Sequence, residues 1–299
     1  MKRWFLRILG GLVVVLALAV LAIFALSERR LARAYSVPED DVTIPTDADS
    51  VARGAYLATT VSNCRDCHGS DLGGTIFVDD PQLGRIIAPN LTSGQGGTGK
   101  LLSDQDLVRA IRYGVATDGR ALMIMPTEDY NGMSDEDLGA VIAYLRSVPP
   151  VDKELPSSLL RPLGRTLAAL GKLDIFSIDH VDLNAPRAKT LKPEVSKAYG
   201  KYLAQIAGCT GCHGPGLSGG AIPGAPPDFP KAANLTPSGA VGDWQFQDFL
   251  STIRSGKNPK GRQLVEEMPW KSFAGMSDQE LRAIWLFVES VPSREAGTR

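Results

Sequence analysis

The stretch Cys64-Arg-Asp-Cys67-His68 and its counterpart 145 residues on, Cys209-Thr-Gly-Cys212-His213, use every cysteine in this chain of 299 residues. A disulfide framework belongs to small secreted scaffolds and gives no reason for a histidine directly behind each second cysteine. A structural zinc site wants four protein ligands and each cluster offers three. His180, the one other histidine, cannot complete two sites. A thioredoxin-like dithiol needs a strand-helix context that the neighbouring residues do not supply.

Outward from the clusters, the flanking sequence also occurs twice. Gly54-Ala55-Tyr56-Leu57 and Gly200-Lys201-Tyr202-Leu203 lie before the cysteines, and Asn90-Leu91-Thr92 and Asn234-Leu235-Thr236 after them. Then come Ile111-Arg112-Tyr113-Gly114 and Ile253-Arg254-Ser255-Gly256, Gly119-Arg120 and Gly261-Arg262, Met125-Pro126 and Met268-Pro269. Each copy closes on a helix signal. Ser134 with Asp137, and Ser277 with Glu280, make N-terminal caps. Leu138, Val141, Ile142 and Leu145, like Leu281, Ile284, Trp285 and Val288, recur at helical spacing, and Pro149 and Pro292 end the helices. Gly54 aligns with Gly200 and Tyr144 with Phe287, which predicts a close crossing of first and last helices in each copy.

Register kept over so many positions, with loops of unequal length, is a duplicated domain and not a solenoid of short repeats. The expected organisation is an anchor over 1–27, a tether over 28–47, domains over 48–150 and 191–294, a connector over 151–190 and a tail over 295–299. Residues 159–173 of the connector have enough apolar content to pack as a short helix across a domain.

Lys2, Arg3 and Arg7 precede residues 8–26, which carry no charge. A membrane-crossing helix needs about 20 such residues. A cleaved signal peptide is the competing reading, but its apolar region spans about 7 to 15 residues, and the small-residue site Ala32-Arg33-Ala34 lies well past the run. The net charge of −1 gives no basic footprint for nucleic acid. With 31 glycines, 20 prolines and 7% aromatic residues, the composition suits small all-α domains with irregular loops.

Cys-x-x-Cys-His is the attachment signature of c-type haem. Two thiols reach the two vinyl groups of one porphyrin, and the adjacent histidine is placed under the iron. The expectation is two covalently bound haem c groups, one on Cys64 and Cys67 with His68, the other on Cys209 and Cys212 with His213. Because the thioethers form after export, both domains should be periplasmic, on a single-pass anchor in the inner membrane. For the sixth iron ligand, Met125 lies 58 residues after Cys67 and Met268 lies 56 after Cys212. Met133 and Met276 also match, beside the helix caps where a packing role is usual; Met123 has no counterpart. Arg112 and Arg254 are candidates for haem propionate contacts or solvated helix-end residues. His180 is a possible stray ligand from the connector. Asn-Leu-Thr fits a glycosylation sequon, but its recurrence favours a loop role near the haem edge.

These residues together resemble the class I cytochrome c family, in the branch of haem subunits attached to membrane-bound alcohol, aldehyde and gluconate dehydrogenases. The resemblance covers about two thirds of the chain, down to Tyr144-Leu145-Arg146-Ser147-Val148-Pro149-Pro150. It implies tandem helical wraps with exposed haem edges, though two haem domains stand where that branch often has three. In the second copy Ala232-Ala233 replaces Ala88-Pro89, so a proline carbonyl behind the haem histidine is not assigned in either. The implied function is electron transfer from a dehydrogenase or quinol-oxidising complex to an oxidase or soluble cytochrome. A dihaem peroxidase with one open iron site, or a haem subunit of a larger membrane complex, are the alternatives. Met-Pro in both copies argues against an open site.

Overall fold

The uncharged run after Arg7 propagates into one helix, α1 (Lys2–Leu31), in the computed structural model, which describes residues 2–225 and 228–298. At 1.5 Å per residue its 30 residues reach about 45 Å. Its large apolar side chains from Trp4 to Leu26 stand exposed around the helix. It is long and apolar enough to cross a membrane.

Asp47 caps the next helix, α2 (Ala48–Tyr56), by accepting from the Ser50 amide. A wider π-type turn, Leu57–Val61, leads to α3 (Cys64–His68). There follow a hairpin, β1 (Thr75–Asp80) and β2 (Gly84–Ala88), and α4 (Asp104–Tyr113), which Ser103 and Asp106 start with a capping box. Short α5 (Thr127–Tyr130) and long α6 (Asp135–Ser147) complete the first repeat. Between the repeats lie β3 (Leu159–Leu160), α7 (Pro162–Ala169) and a 3-10 turn, Ser177–His180. The second repeat runs α8 (Lys197–Ile206), α9 (Cys209–His213), α10 (Phe246–Ser255), α11 (Trp270–Phe273) and α12 (Asp278–Ser290). Its helices match α2 to α6 one for one.

The chain is helix-rich but not all-α, which corrects the expectation. β1, β2 and β3 form an antiparallel sheet in that order. Thr75-Ile-Phe-Val and Arg85-Ile-Ile-Ala carry the β-branched and aromatic residues that strands favour. Ile76 pairs with Ile87 and Val78 with Ile86, with an irregularity between them. The corresponding loop of the second repeat carries Pro223 and Pro230, which lack an N–H for a ladder; there Gly220 and Ala232 form an isolated bridge.

First and last helices of each repeat cross where Gly54 and Gly200 permit it. A Cβ on either would stand 1.8 Å from a carbonyl oxygen, of Ala140 and Ala283 respectively. Leu57, Val61, Leu138 and Ile142 from the first repeat and Leu203, Ile206, Leu281, Ile284 and Trp285 from the second belong to one continuous core.

The segment expected as a tether is laid along the first repeat. Tyr35 N donates to Gly119 O at 2.8 Å, Asp40 accepts from the Tyr113 hydroxyl, and Val42 and Ile44 pack on the core. The connector is equally committed. Gly164 of α7 sits against Leu83 O, Arg165 bonds Glu28 at the end of α1, and Ile175, Phe176 and Ile178 form a satellite core with Tyr113, Val115 and Leu31. The helix α7 lies within the 159–173 stretch expected to pack as a short helix.

Candidate functional site

Both cysteine clusters begin from left-handed backbone, Asn63 at φ 50° and Gly208 at φ 72°, and then make a single helical turn. Residues three apart in a helix lie on the same side, so each turn presents its two sulfurs together with the histidine directly after. No disulfide joins them. Burial pushes the Cys64 and Cys209 thiols up to about 12 and Cys67 to about 11. Among the described residues, no three or more His, Cys, Asp or Glu converge as a metal site.

Behind each histidine the chain turns through glycine at positive φ, Gly69 at 84° and Gly214 at 82°. His68 Nδ1 lies 2.9 Å from Pro89 O, and His213 Nδ1 lies 2.7 Å from Ala233 O. A carbonyl only accepts, so Nδ1 carries the proton and Nε2 keeps its lone pair. Both imidazoles are buried, and for His68 that burial lowers the pKa, with the Pro89 carbonyl pulling the other way. The neutral ring suits a metal ligand. The assignment left open in sequence is thus filled in both repeats. Alanine serves as well as proline because the acceptor is a main-chain oxygen.

Asn-Leu-Thr holds that oxygen in place. Asn90 Oδ1 accepts from Thr92 N at 2.9 Å while its Nδ2 donates to Val151 O at 2.8 Å, beyond the final helix. Asn234 repeats the clasp with Thr236 N and Arg294 O, each at 2.8 Å. Leu91 N and Leu235 N bond the carbonyls of Leu72 and Leu217, which adopt φ 58° and 57°. Asn90 is 1% exposed, so it serves the loop and not a glycan.

Met125 and Met268 are half-buried at the edge of the core. Both precede the same tight turn: Thr127 N bonds Met125 O at 2.8 Å, Trp270 N bonds Met268 O at 2.7 Å, and Pro126 and Pro269 share φ −78°. Met133 and Met276 are 1% and 2% exposed, deep in the core. Met123 packs on the satellite core. His180 pairs with Asp174 at 2.7 Å on the surface.

The two arginines tie helices together. Arg112, fully buried, sends Nη2 to Met133 O and Asp135 Oδ1 at 3.0 and 2.9 Å, with Asp40 3.1 Å from Nη1. Arg254 addresses Ala274 O and, at 2.6 Å, Asp278 Oδ1. In each case an acid in the first turn of the final helix accepts from the guanidinium. Arg112 Nε is buried without a hydrogen-bond partner, so a donor remains there.

Sequence reasoning left the Pro89 and Ala233 carbonyls unassigned and missed Asp129. Asp129 is 8% exposed and reaches from α5 to the second cysteine turn, where a Cβ on Gly211 would lie 3.0 Å from its Oδ2. Burial, with Glu128 nearby, raises its pKa to about 7.

The sequence profile of the family described as cytochrome c matches residues 51–149 and again 197–292. The chain is 30% identical over 275 residues to the fructose dehydrogenase cytochrome subunit of Gluconobacter japonicus, covering 84% of this chain and 55% of that protein. It is 28% identical over 280 residues to the gluconate 2-dehydrogenase cytochrome c subunit of Pantoea cypripedii, covering 82% and 60%. A shorter match, 30% over 94 residues, is to the cytochrome c subunit of the quinone alcohol dehydrogenase of Gluconobacter oxydans, covering 29% and 20%. The chain spans a little over half the length of the first two relatives.

Proposed function

Since this chain belongs to the cytochrome c family, we propose that it is a membrane-anchored dihaem electron-transfer subunit working on the periplasmic face of the inner membrane. The carrying observation is the histidine geometry, the same in both repeats: a buried imidazole with Nδ1–H held by a backbone carbonyl. That bond fixes the ring and raises the basicity of Nε2 toward iron.

Cys64 and Cys67, and Cys209 and Cys212, would hold the two haem c groups through thioethers, with His68 and His213 as proximal ligands. When bound, each haem supplies an iron that takes up or releases one electron. Met125 and Met268 would fill the sixth positions, each from a turn that proline stiffens. Met133 and Met276 are already committed to the core. A saturated His/Met site suits electron transfer and raises the potential. Arg112 Nε, buried without a hydrogen-bond partner, would be the donor left for a propionate. α1 would hold the domains at the membrane, and the names of the relatives favour a dehydrogenase as donor, with an oxidase or soluble cytochrome as acceptor.

The test is production in cells that mature c-type cytochromes, followed by intact mass and absorption spectra. Expected are two porphyrin additions and two low-spin haems with a sulfur-to-iron charge-transfer band, which Met125→Leu and Met268→Leu each reduce by about half (one of two equivalent His/Met sites). A chain without the additions, or a high-spin haem in the native protein, refutes the reading.

A further inference from the structure

One tyrosine–carboxylate pair crosses between the two repeats in both directions. Tyr202 of α8 donates its hydroxyl to Asp137 Oδ2 of α6 at 2.6 Å. Tyr56 of α2 donates to Glu280 Oε2 of α12. The tyrosines hold the same place in Gly-x-Tyr-Leu, and the acids the same place in the final helices, three residues after the capping serine. Arg53 stands between the carboxylates, its Nε 3.0 Å from Asp137 Oδ1 and its Nη1 3.5 Å from Glu280 Oε1. Such a junction, in which group i meets j and j meets i, has the form of a two-fold interface.

The exchange reaches into the caps. Glu280 closes its own capping box, accepting from Ser277 N at 3.0 Å. Asp137 is one methylene shorter, and the Ser134 amide bonds instead to the Tyr202 hydroxyl at 3.3 Å. Burial and the neighbouring carboxylates push both tyrosines well above their ordinary pKa, so both remain donors. Two carboxyl groups that are 7% and 8% exposed share one guanidinium; each tyrosine adds a donor from across the junction.

Next to this junction, each repeat lays the arm that follows its Met-Pro pair against the other repeat's cysteine segment. α5 meets α9, with Asp129 against Gly208 and Gly211. α11 meets the turn leading into α3, where a Cβ on Gly275 would stand 3.1 Å from Thr60.

We propose that Tyr56, Tyr202, Asp137, Glu280 and Arg53 are positioning residues that dock the repeats as an internal two-fold pair and fix the spacing of the two haem-bearing turns. This rests on the two-haem reading above. With that spacing fixed, haems held on the two turns would exchange one electron within the chain, one iron oxidised as the other is reduced.

The test uses the full chain in detergent. Losing a tyrosine donor removes one hydrogen bond to a carboxylate, although Asp137 Oδ2 keeps Arg53 Nη2 and Glu280 Oε2 keeps Ser277 N and Oγ. Such a bond is worth about a tenfold change in an equilibrium, so opening of the junction rises by about that factor per tyrosine. In Tyr202→Phe the Ser134 amide should exchange hydrogen about tenfold faster, while Tyr113→Phe, whose hydroxyl serves Asp40 away from the junction, leaves it unchanged. This readout needs no haem. In the loaded protein, the circular dichroism of the haem Soret band should be bisignate, the signature of two coupled chromophores. Arg53→Ala with Tyr56→Phe and Tyr202→Phe should abolish the couplet while mass and absorption still report two low-spin haems. Glu280→Gln, which keeps the oxygen acceptor and drops the charge, should retain it. Unchanged exchange at Ser134, or a couplet that survives the triple variant, overturns the proposal. A wild-type chain short of a porphyrin refutes the two-haem reading instead and leaves the exchange result to judge the docking.

Discussion

Gly54→Ala sets two effects of opposite sign against each other. In an open helix, alanine is about 1 kcal/mol better than glycine. Here its Cβ would stand 1.8 Å from Ala140 O and 2.4 Å from the carbon of that carbonyl, where ordinary contact begins at 3.4 Å. The obstacle is backbone, so no rotamer relieves it. α2 and α6 must part by roughly 1.5 Å, and a gap of even 0.5–1 Å forfeits a quarter to a half of each dispersion contact across it. Leu57, Ala58, Leu138 and Val141 are 0–2% exposed at or near this crossing. Overpacking costs about 1–3 kcal/mol and occasionally more; for a rigid obstacle the upper end applies, so the net expected loss is about 2–3 kcal/mol after the propensity gain. For a protein of this size that lowers Tm by roughly 4–12 °C. Gly200→Ala, with its Cβ 1.8 Å from Ala283 O, should cost the second repeat the same. The assay is denaturant and thermal unfolding of the haem-loaded chain followed by circular dichroism. Either variant proving as stable as the parent or more so would refute the reasoning, because helix propensity alone would then account for the result.

Asp129 and Arg112 carry two further expectations. The folded pKa of Asp129, about 7 against an ordinary 3.8, means that the native state holds a proton there that the unfolded chain has released. Its contribution is fully present below about pH 4 and is lost as pH rises through 7, by roughly 4 kcal/mol at most. Asp129→Asn should flatten this part of the stability profile, measured as denaturant midpoints at pH 4.5 and 8 (roughly the ends of that window); an unaltered slope would show that the carboxyl titrates elsewhere. Arg112→Ala leaves Asp40 and Asp135 without their buried cation and should cost about 3 kcal/mol. Arg254→Ala faces an Asp278 whose side chain is 71% exposed and should cost under about 1 kcal/mol. Equal costs in urea titrations would contradict the different burial of the two sites.

What the sequence determined by itself is whatever its own neighbouring residues enforce. The cysteine turns, the serine caps of α6 and α12 and the apolar run of α1 follow from spacing within a few residues, and the repeat made each legible twice. The crossing of first and last helices was legible too, since Gly54 and Gly200 leave room that any side chain would fill. Tertiary structure decided the rest, for identifiable reasons. The partner of His68 and of His213 is a backbone carbonyl, which every residue owns and no residue type announces. Residues 28–47 and the connector carry the marks of spacers, yet Asp40, Val42, Ile44, Ile175 and Phe176 find buried partners only once the first repeat has folded. The small sheet needed Leu159 and Leu160 from far along the chain. Tyr56 meets Glu280 across 224 residues, a contact that exists only because two copies of one fold present the same donor and acceptor to each other.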